Sequence, residues 1–214
     1  MTSHQLTSSW RIRTGGVALV VAAAVALSGC NSGGDPNPAA TATTSAAESI
    51  SPSATPTPTA TYKPADATGR AQNVPVPVLP EVAKTETKEG LEAFVAHWFQ
   101  LLGYAYETGD PKPMEAISDP SCTFCGSLSD NISAAWSDDK WIVGGRVETP
   151  VVTAKMLPGE AAQATVQVVQ KSIAIHNPDG SLYQDPTKDT NAGSQATATF
   201  GASGWVLADL GLIR

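Results

Sequence analysis

The apolar positions of this 214-residue chain change spacing three times. An unbroken apolar run covers Val17 to Leu27. From Asn31 to about Pro80 no periodicity holds, and Ala, Thr, Ser, Pro and Gly dominate. From Glu81 onward, apolar residues recur first at helical spacing and then at alternate positions.

Leu91, Phe94, Val95, Trp98, Leu101, Leu102 and Ala105 fall on one helical face, which predicts a helix from Thr87 to Glu107. Thr87 is placed to cap it, and Glu89 sits in the first turn, where the helix dipole favours an acid. Gly109 follows the last turn, and Asp110-Pro111 prevents continuation. A short helix is expected around Met114 to Ile117. A third, from near Cys125 to Trp136, carries Leu128, Ile132 and Trp136 at intervals of four.

Extended chain is expected next, at Trp141 to Val143 and Arg146 to Met156, with a turn at Leu157-Pro158-Gly159-Glu160. Ala162, Ala164, Val166 and Val168 alternate with Gln163, Thr165 and Gln167, as in a half-buried strand. At Val168-Val169 the alternation changes phase, with Val169, Ile173 and Ile175 continuing it, which predicts a bulge and a curved sheet. Asn177-Pro178-Asp179-Gly180 opens a loop. Gln195 to Phe200 and Trp205 to Ile213 make a closing hairpin. Helices followed by strands predict an α+β domain over 81–214, N-terminal helices packing on a curved antiparallel sheet.

Arg11 and Arg13 precede the first apolar run, which falls short of the roughly 20 residues a membrane span needs. Leu27-Ser28-Gly29-Cys30 closes it and resembles the lipobox of bacterial lipoproteins. That resemblance implies diacylglyceryl transfer to the Cys30 thiol and cleavage after Gly29, making residues 1–29 a signal peptide. Two acyl chains hold stably, since each buried CH₂ contributes about 0.8 kcal/mol. The expected location is extracytoplasmic, on the outer face of a membrane.

Residues 30–80 then read as the lipidated cysteine and a disordered tether. Ser51-Pro52-Ser53-Ala54-Thr55-Pro56-Thr57-Pro58 has too little apolar surface to offset ordering entropy. About fifty such residues reach on the order of 150 Å extended, or about 40 Å as a coil. Val74-Pro75-Val76-Pro77-Val78-Leu79-Pro80 is more apolar and is expected to lie against the domain as an extended strap.

Charge narrows the partners. Residues 81–214 carry 17 acidic and 9 basic side chains, a net of −8, with no Lys/Arg cluster. Nucleic acid needs a concentrated positive field, so none is expected to bind. Membrane contact is assigned to the anchor alone.

Tyr104-Ala105-Tyr106-Glu107-Thr108-Gly109-Asp110, with the leading helix before it and a long sheet ending in Gly204-Trp205-Val206 after it, resembles the cystatin-like cone superfamily. That group includes the nuclear-transport-factor-2-like and polyketide-cyclase-like proteins. Joined to Ile117-Ser118-Asp119-Pro120-Ser121-Cys122-Thr123-Phe124-Cys125, the stretch is similar to an actinobacterial lipoprotein family of unknown function. The narrower resemblance spans about Glu81 to Arg214 and implies no activity.

Several residues are candidates for chemistry. In an exported chain, Cys122 and Cys125 read first as a disulfide fixing the turn into the third helix. Thiol-disulfide exchange is a second reading, since a thiol at a helix N-terminus is acidified. A zinc site lacks ligands at telling spacing, so no metal or cofactor is expected. His97 and Tyr104, seven apart, either line a pocket mouth as acid or base or pack where helix meets sheet. Asp209, in phase with Trp205 and Leu207, is either a pocket carboxylate of raised pKa or a solvated sheet residue. Trp98, Trp136, Trp141 and Trp205 are candidates to wall an apolar cavity. The expected function is a non-enzymatic module binding a small apolar ligand or an envelope protein; a cone-fold acid/base enzyme and an extracytoplasmic thiol-disulfide exchanger are the alternatives.

Overall fold

A computed structural model describes residues 60–157 and 161–213. The expected signal peptide, Cys30, the expected tether as far as residue 59 and most of the turn expected at 157–160 lie outside the described residues. No helix among the described residues is long and apolar enough to cross a membrane.

Helix α1 spans Lys88–Thr108. The Thr87 hydroxyl accepts the Gly90 N–H at 3.0 Å, and Gly109, at φ 75°, returns its N–H to Ala105 O at 2.9 Å. Both termini thus close as the capping pattern predicts. All seven residues of the predicted apolar face are buried, and so are His97, Phe99 and Tyr106, because the helix is covered on more than one side. Helix α2 is the short Lys112–Glu115, and α3 spans Thr123–Ala135. Both begin about two residues before the expected starts, as a helix does when its first turn carries no apolar marker.

The strands are β1 Trp141–Gly144, β2 Val147–Lys155, β3 Ala162–Gln170, β4 Ile173–His176, β5 Thr190–Gly201 and β6 Gly204–Leu212. A four-stranded antiparallel sheet runs β2-β3-β5-β6, and β1 pairs with β4 as a two-stranded arm. The α+β architecture is the one the element order predicts, with α1 lying on the sheet. The inward sheet positions are small (Ala154, Ala162, Ala164, Ser194, Ala196, Ala198), which makes room for Leu91, Phe94 and Trp98 of the helix.

Three details correct the sequence reading. The bend does not lie at Val168-Val169: β3 pairs with β5 without interruption from Ala162 to Gln170. It lies at Gly144-Gly145 opposite Lys171-Ser172, where the sheet passes into the arm. Both glycines have positive φ (83° and 71°), and a Cβ on Gly144 would stand 2.3 Å from Ser172 O. A bulge in β2 between Glu148 and Val151 adds to the curvature. Next, β5 begins at Thr190, five residues before the expected Gln195. Finally, residues 60–73, read as tether, are structured and continuous with the strap expected at 74–80.

Candidate functional site

The strap is built from two short contacts. Lys63 and Gln72 exchange backbone hydrogen bonds of 3.0 and 2.9 Å. Between them Asp66 turns the chain, its carboxylate accepting the Thr68 N–H at 2.7 Å and hydroxyl at 2.5 Å. These bonds hold the Asp66 carboxyl below the usual carboxylate range. Side chains then fasten the strap. The Tyr62 hydroxyl donates to the Glu107 carboxylate. Arg70 lies over the Trp136 ring at 5.4 Å and donates to Asp139 at 3.2 Å. The Trp141 indole donates to Asp66 O at 2.9 Å.

Beneath the strap runs a groove of about 820 Å³. Tyr62, Pro75 and Pro77 form one wall, and Ile142 to Gly144, Arg146 and Val147 form the other. Its floor is the least buried stripe of α1: Gln100, Gly103, Tyr104 and Glu107. A mid-helix glycine is destabilising by about 0.5–1 kcal/mol relative to Ala. Gly103 has no steric reason to be one, because no atom lies within 4 Å of where its Cβ would stand. What its missing side chain leaves is space in the groove. At one end, the Glu107 hydrogen bond, with burial and the carboxylate charge acting the same way, pushes the Tyr62 phenol up to about 12.

The sequence candidates scatter. Tyr104 lines the groove. His97, two turns earlier on α1, is 5% exposed and lines none of the described cavities; its Nδ1 has no hydrogen-bond partner. Burial holds its pKa below the ordinary histidine value, against a smaller opposing effect of Gln100. Asp209 is exposed. A bulge at Ala208 shifts the β5–β6 register between Thr197 and Ala198, so Leu210, not Asp209, continues the buried face of Trp205 and Leu207. The pocket-carboxylate reading of Asp209 is therefore corrected, and the acid/base constellation is not assembled.

The tryptophans behave as fasteners rather than as groove walls. Trp98 is core, donating to the Ser118 hydroxyl at 2.8 Å. Trp136 donates to Tyr106 O at 3.2 Å and packs over Gly109. Trp141 stacks on His176 at 5.8 Å, and Trp205 donates to Thr85 O at 2.9 Å. Trp136 and Trp205 border lesser clefts of about 370 and 350 Å³. None of the four lines the groove.

Cys122 and Cys125 are joined as a disulfide, with Cα atoms 5.3 Å apart. Cys122 caps α3, its sulfur 3.3 Å from the Cys125 N–H. The bridge is buried, at 2% and 4% exposure. The turn before it is pinned to β6 through Asp119 N–H to Leu207 O (2.8 Å) and Leu207 N–H to Ile117 O (2.9 Å). Among the described residues, no group of three or more His, Cys, Asp or Glu side chains could hold a metal ion.

Residues 60–210 match the Family of unknown function (DUF6318). The chain belongs to that family. The matched span begins with the strap, so all three walls of the groove are family sequence. No curated protein matches the chain. Among solved structures, it is similar to the intermembrane space region of chloroplast protein ARC6, at 12% identity and TM-score 0.44, over 61% of this chain and 98% of that one. It is also similar to an uncharacterized protein with a cystatin-like fold from Caulobacter vibrioides, at 15% identity and TM-score 0.39, over 59% and 91%. A domain of unknown function with a cystatin-like fold from Nostoc punctiforme matches at 12% identity and TM-score 0.37, over 60% and 79%.

What sequence reasoning missed is the groove itself. Of its lining, only Tyr104 was singled out. Two signals were available: Gly103 in the interior of a strong helix, where Gly90 near its start packs against Thr85, and the Val-Pro alternation of the strap.

Proposed function

We propose that this chain is a lipid-anchored, extracytoplasmic binding module whose ligand lies non-covalently in the groove between strap, α1 and the β1–β2 wall. The observation that carries the reading is the glycine-floored groove: about 820 Å³, with mainly apolar walls and a few polar lining groups (Gln100, Glu107, Arg146). Such concave sites with few polar groups are the usual form of binding pockets. The anchor follows from the Cys30 tetrad and the apolar run before it. A long tether suits a module that must reach a partner away from the membrane surface.

The test is native mass spectrometry of the full-length chain released from detergent, with and without decanoic acid, palmitic acid and the matching alcohols. Uptake by the wild type that disappears in Gly103→Trp supports the groove. A chain that stays bare with every probe, or a Gly103→Trp variant that takes them up equally, removes it. The intact mass of the same sample reads the anchor: a diacylglyceryl adduct on Cys30 supports it, and an unmodified Cys30 in the processed chain overturns it.

A further inference from the structure

The groove wall formed by β1 is a sheet edge with no strand paired to it among the described residues; Gly144 is exposed there, and Ile142 is 3% exposed. Opposite β4, Tyr183 N–H bonds Ile175 O at 2.8 Å and Thr187 N–H bonds Ile173 O at 2.9 Å. Ile173 and Ile175 thus turn their peptide groups away from β1. In an antiparallel ladder their direct partners, Gly144 and Ile142, do the same on the other side. Both residues line the groove, and among the described residues neither makes a backbone hydrogen bond to the strap that roofs it. The strap has no N–H to offer at Pro75 and Pro77.

The next strand treats its edge differently. Proteins blunt exposed edges with prolines, bulges and charged side chains. β2 has all three: Pro150, the bulge between Glu148 and Val151, and the Glu92 carboxylate accepting the Ala154 N–H at 3.0 Å. β1 has none of them. The unpaired stretch of edge coincides with one wall of the groove.

A row of alternating backbone donors and acceptors is complemented along its length by another extended backbone, which is how strand addition recognises peptides. The lining adds a charge preference. Among the described residues Arg146 is the one basic residue lining the groove; its guanidinium holds Glu148 at 2.8 Å in a solvent-exposed pair, weak enough for a ligand carboxylate to compete with it, while the Glu107 carboxylate is engaged by Tyr62. Resting on the groove reading above, we propose that the occupant is an extended peptide segment of a partner protein. It adds to β1 through the peptide groups of Ile142 and Gly144. Its apolar side chains lie over Gly103, and an acidic residue or terminal carboxylate sits at Arg146. At about 3.3 Å per residue, some four residues match the length of the arm.

The experiment selects linear peptides from a displayed library on the full-length chain in nanodiscs, then N-methylates the best peptide one amide at a time. The expected result is a period of two: methylation at alternate residues weakens binding about tenfold or more, a loss of about 1.4 kcal/mol, and at the residues between has little effect. Binding also slows hydrogen exchange at the Ile142 and Gly144 amides while Val143 is unchanged. Arg146→Glu, at an exposed site, weakens acidic peptides and spares their amide-capped, acid-free counterparts. No selected peptide, or one indifferent to where it is methylated, overturns the proposal. If decanoic acid still enters the groove and is excluded by Gly103→Trp, the strand proposal has failed alone; if it does not, the groove reading has failed with it.

Discussion

The indole N–H of Trp141, the first residue of β1, donates to the main-chain carbonyl of Asp66 across 2.9 Å and 75 residues of sequence. This bond ties the turn of the strap to the sheet arm, and with Tyr62–Glu107 and Arg70–Trp136 it sets where the roof of the groove sits. Trp141→Phe keeps a six-membered aromatic ring and removes the donor together with the rest of the indole. The expected loss is at least about 1 kcal/mol, the net worth of one hydrogen bond, with the lost packing added to it. Hydrogen exchange should quicken at residues 62–72 and be unaltered in β3 and β5. Uniform destabilisation across the domain would mean that the strap is not a separate local unit.

Gly103 sets stability against binding. Gly103→Ala meets no atom within 4 Å and is expected to raise stability by about 0.5–1 kcal/mol through helix propensity. The same methyl group narrows the groove, so ligand uptake should fall as the melting temperature rises. Thermal melts and uptake on the same preparation check both halves. A variant that is stabilised and binds as before would show that the glycine is not a groove feature.

His97 makes the domain sensitive to acid. Its folded pKa lies below the ordinary value near 6.5, chiefly because burial disfavours the charged ring. The unfolded chain therefore takes up a proton before the folded one does. Stability is fully present above about pH 6.5 and is lost as pH falls toward the folded pKa. His97→Leu removes this slope and the unpartnered Nδ1, a burial penalty of about 1–3 kcal/mol. Denaturant midpoints of the two proteins should differ less at neutral pH than near pH 5, with the variant the more stable in acid. Equal pH slopes would contradict the assignment.

The Cys122–Cys125 bridge is expected to be structural. Both cysteines are buried, so dithiothreitol without denaturant should leave them unlabelled by iodoacetamide, and labelling should appear on unfolding. A loop this small contributes at most about 2 kcal/mol on chain-entropy grounds. Replacing both cysteines by serine should therefore loosen the first turn of α3 and leave the groove occupied as before. Rapid reduction in the native state would revive the thiol-disulfide exchange reading.

How far the sequence reached can be followed through particular residues. Thr87, the seven apolar positions of α1 and Gly109 defined one helix almost to the residue, because capping and 3.6-residue spacing are local properties of the chain. The Ala-x-Ala-x-Val alternation of β3 did the same for a strand. The pairing of Cys122 with Cys125 needed only three residues of separation. The order of helices before strands was enough for the α+β class.

The rest depended on contacts that no local pattern encodes. A single bulged residue, Ala208, turned Asp209 out to solvent, and no spacing rule shows that a strand will bulge there. Residues 60–73 are as polar as the tether before them, and only partners far along the chain (Glu107, Trp136, Trp141) make them part of the domain. The groove is the product of three segments that meet only once the chain has folded: the strap, the outer stripe of α1 and the bent arm of the sheet. Sequence by itself determined the elements, since periodicity and caps act within a few residues; tertiary structure alone decided the site, since a concavity is the space left between elements and belongs to none of them.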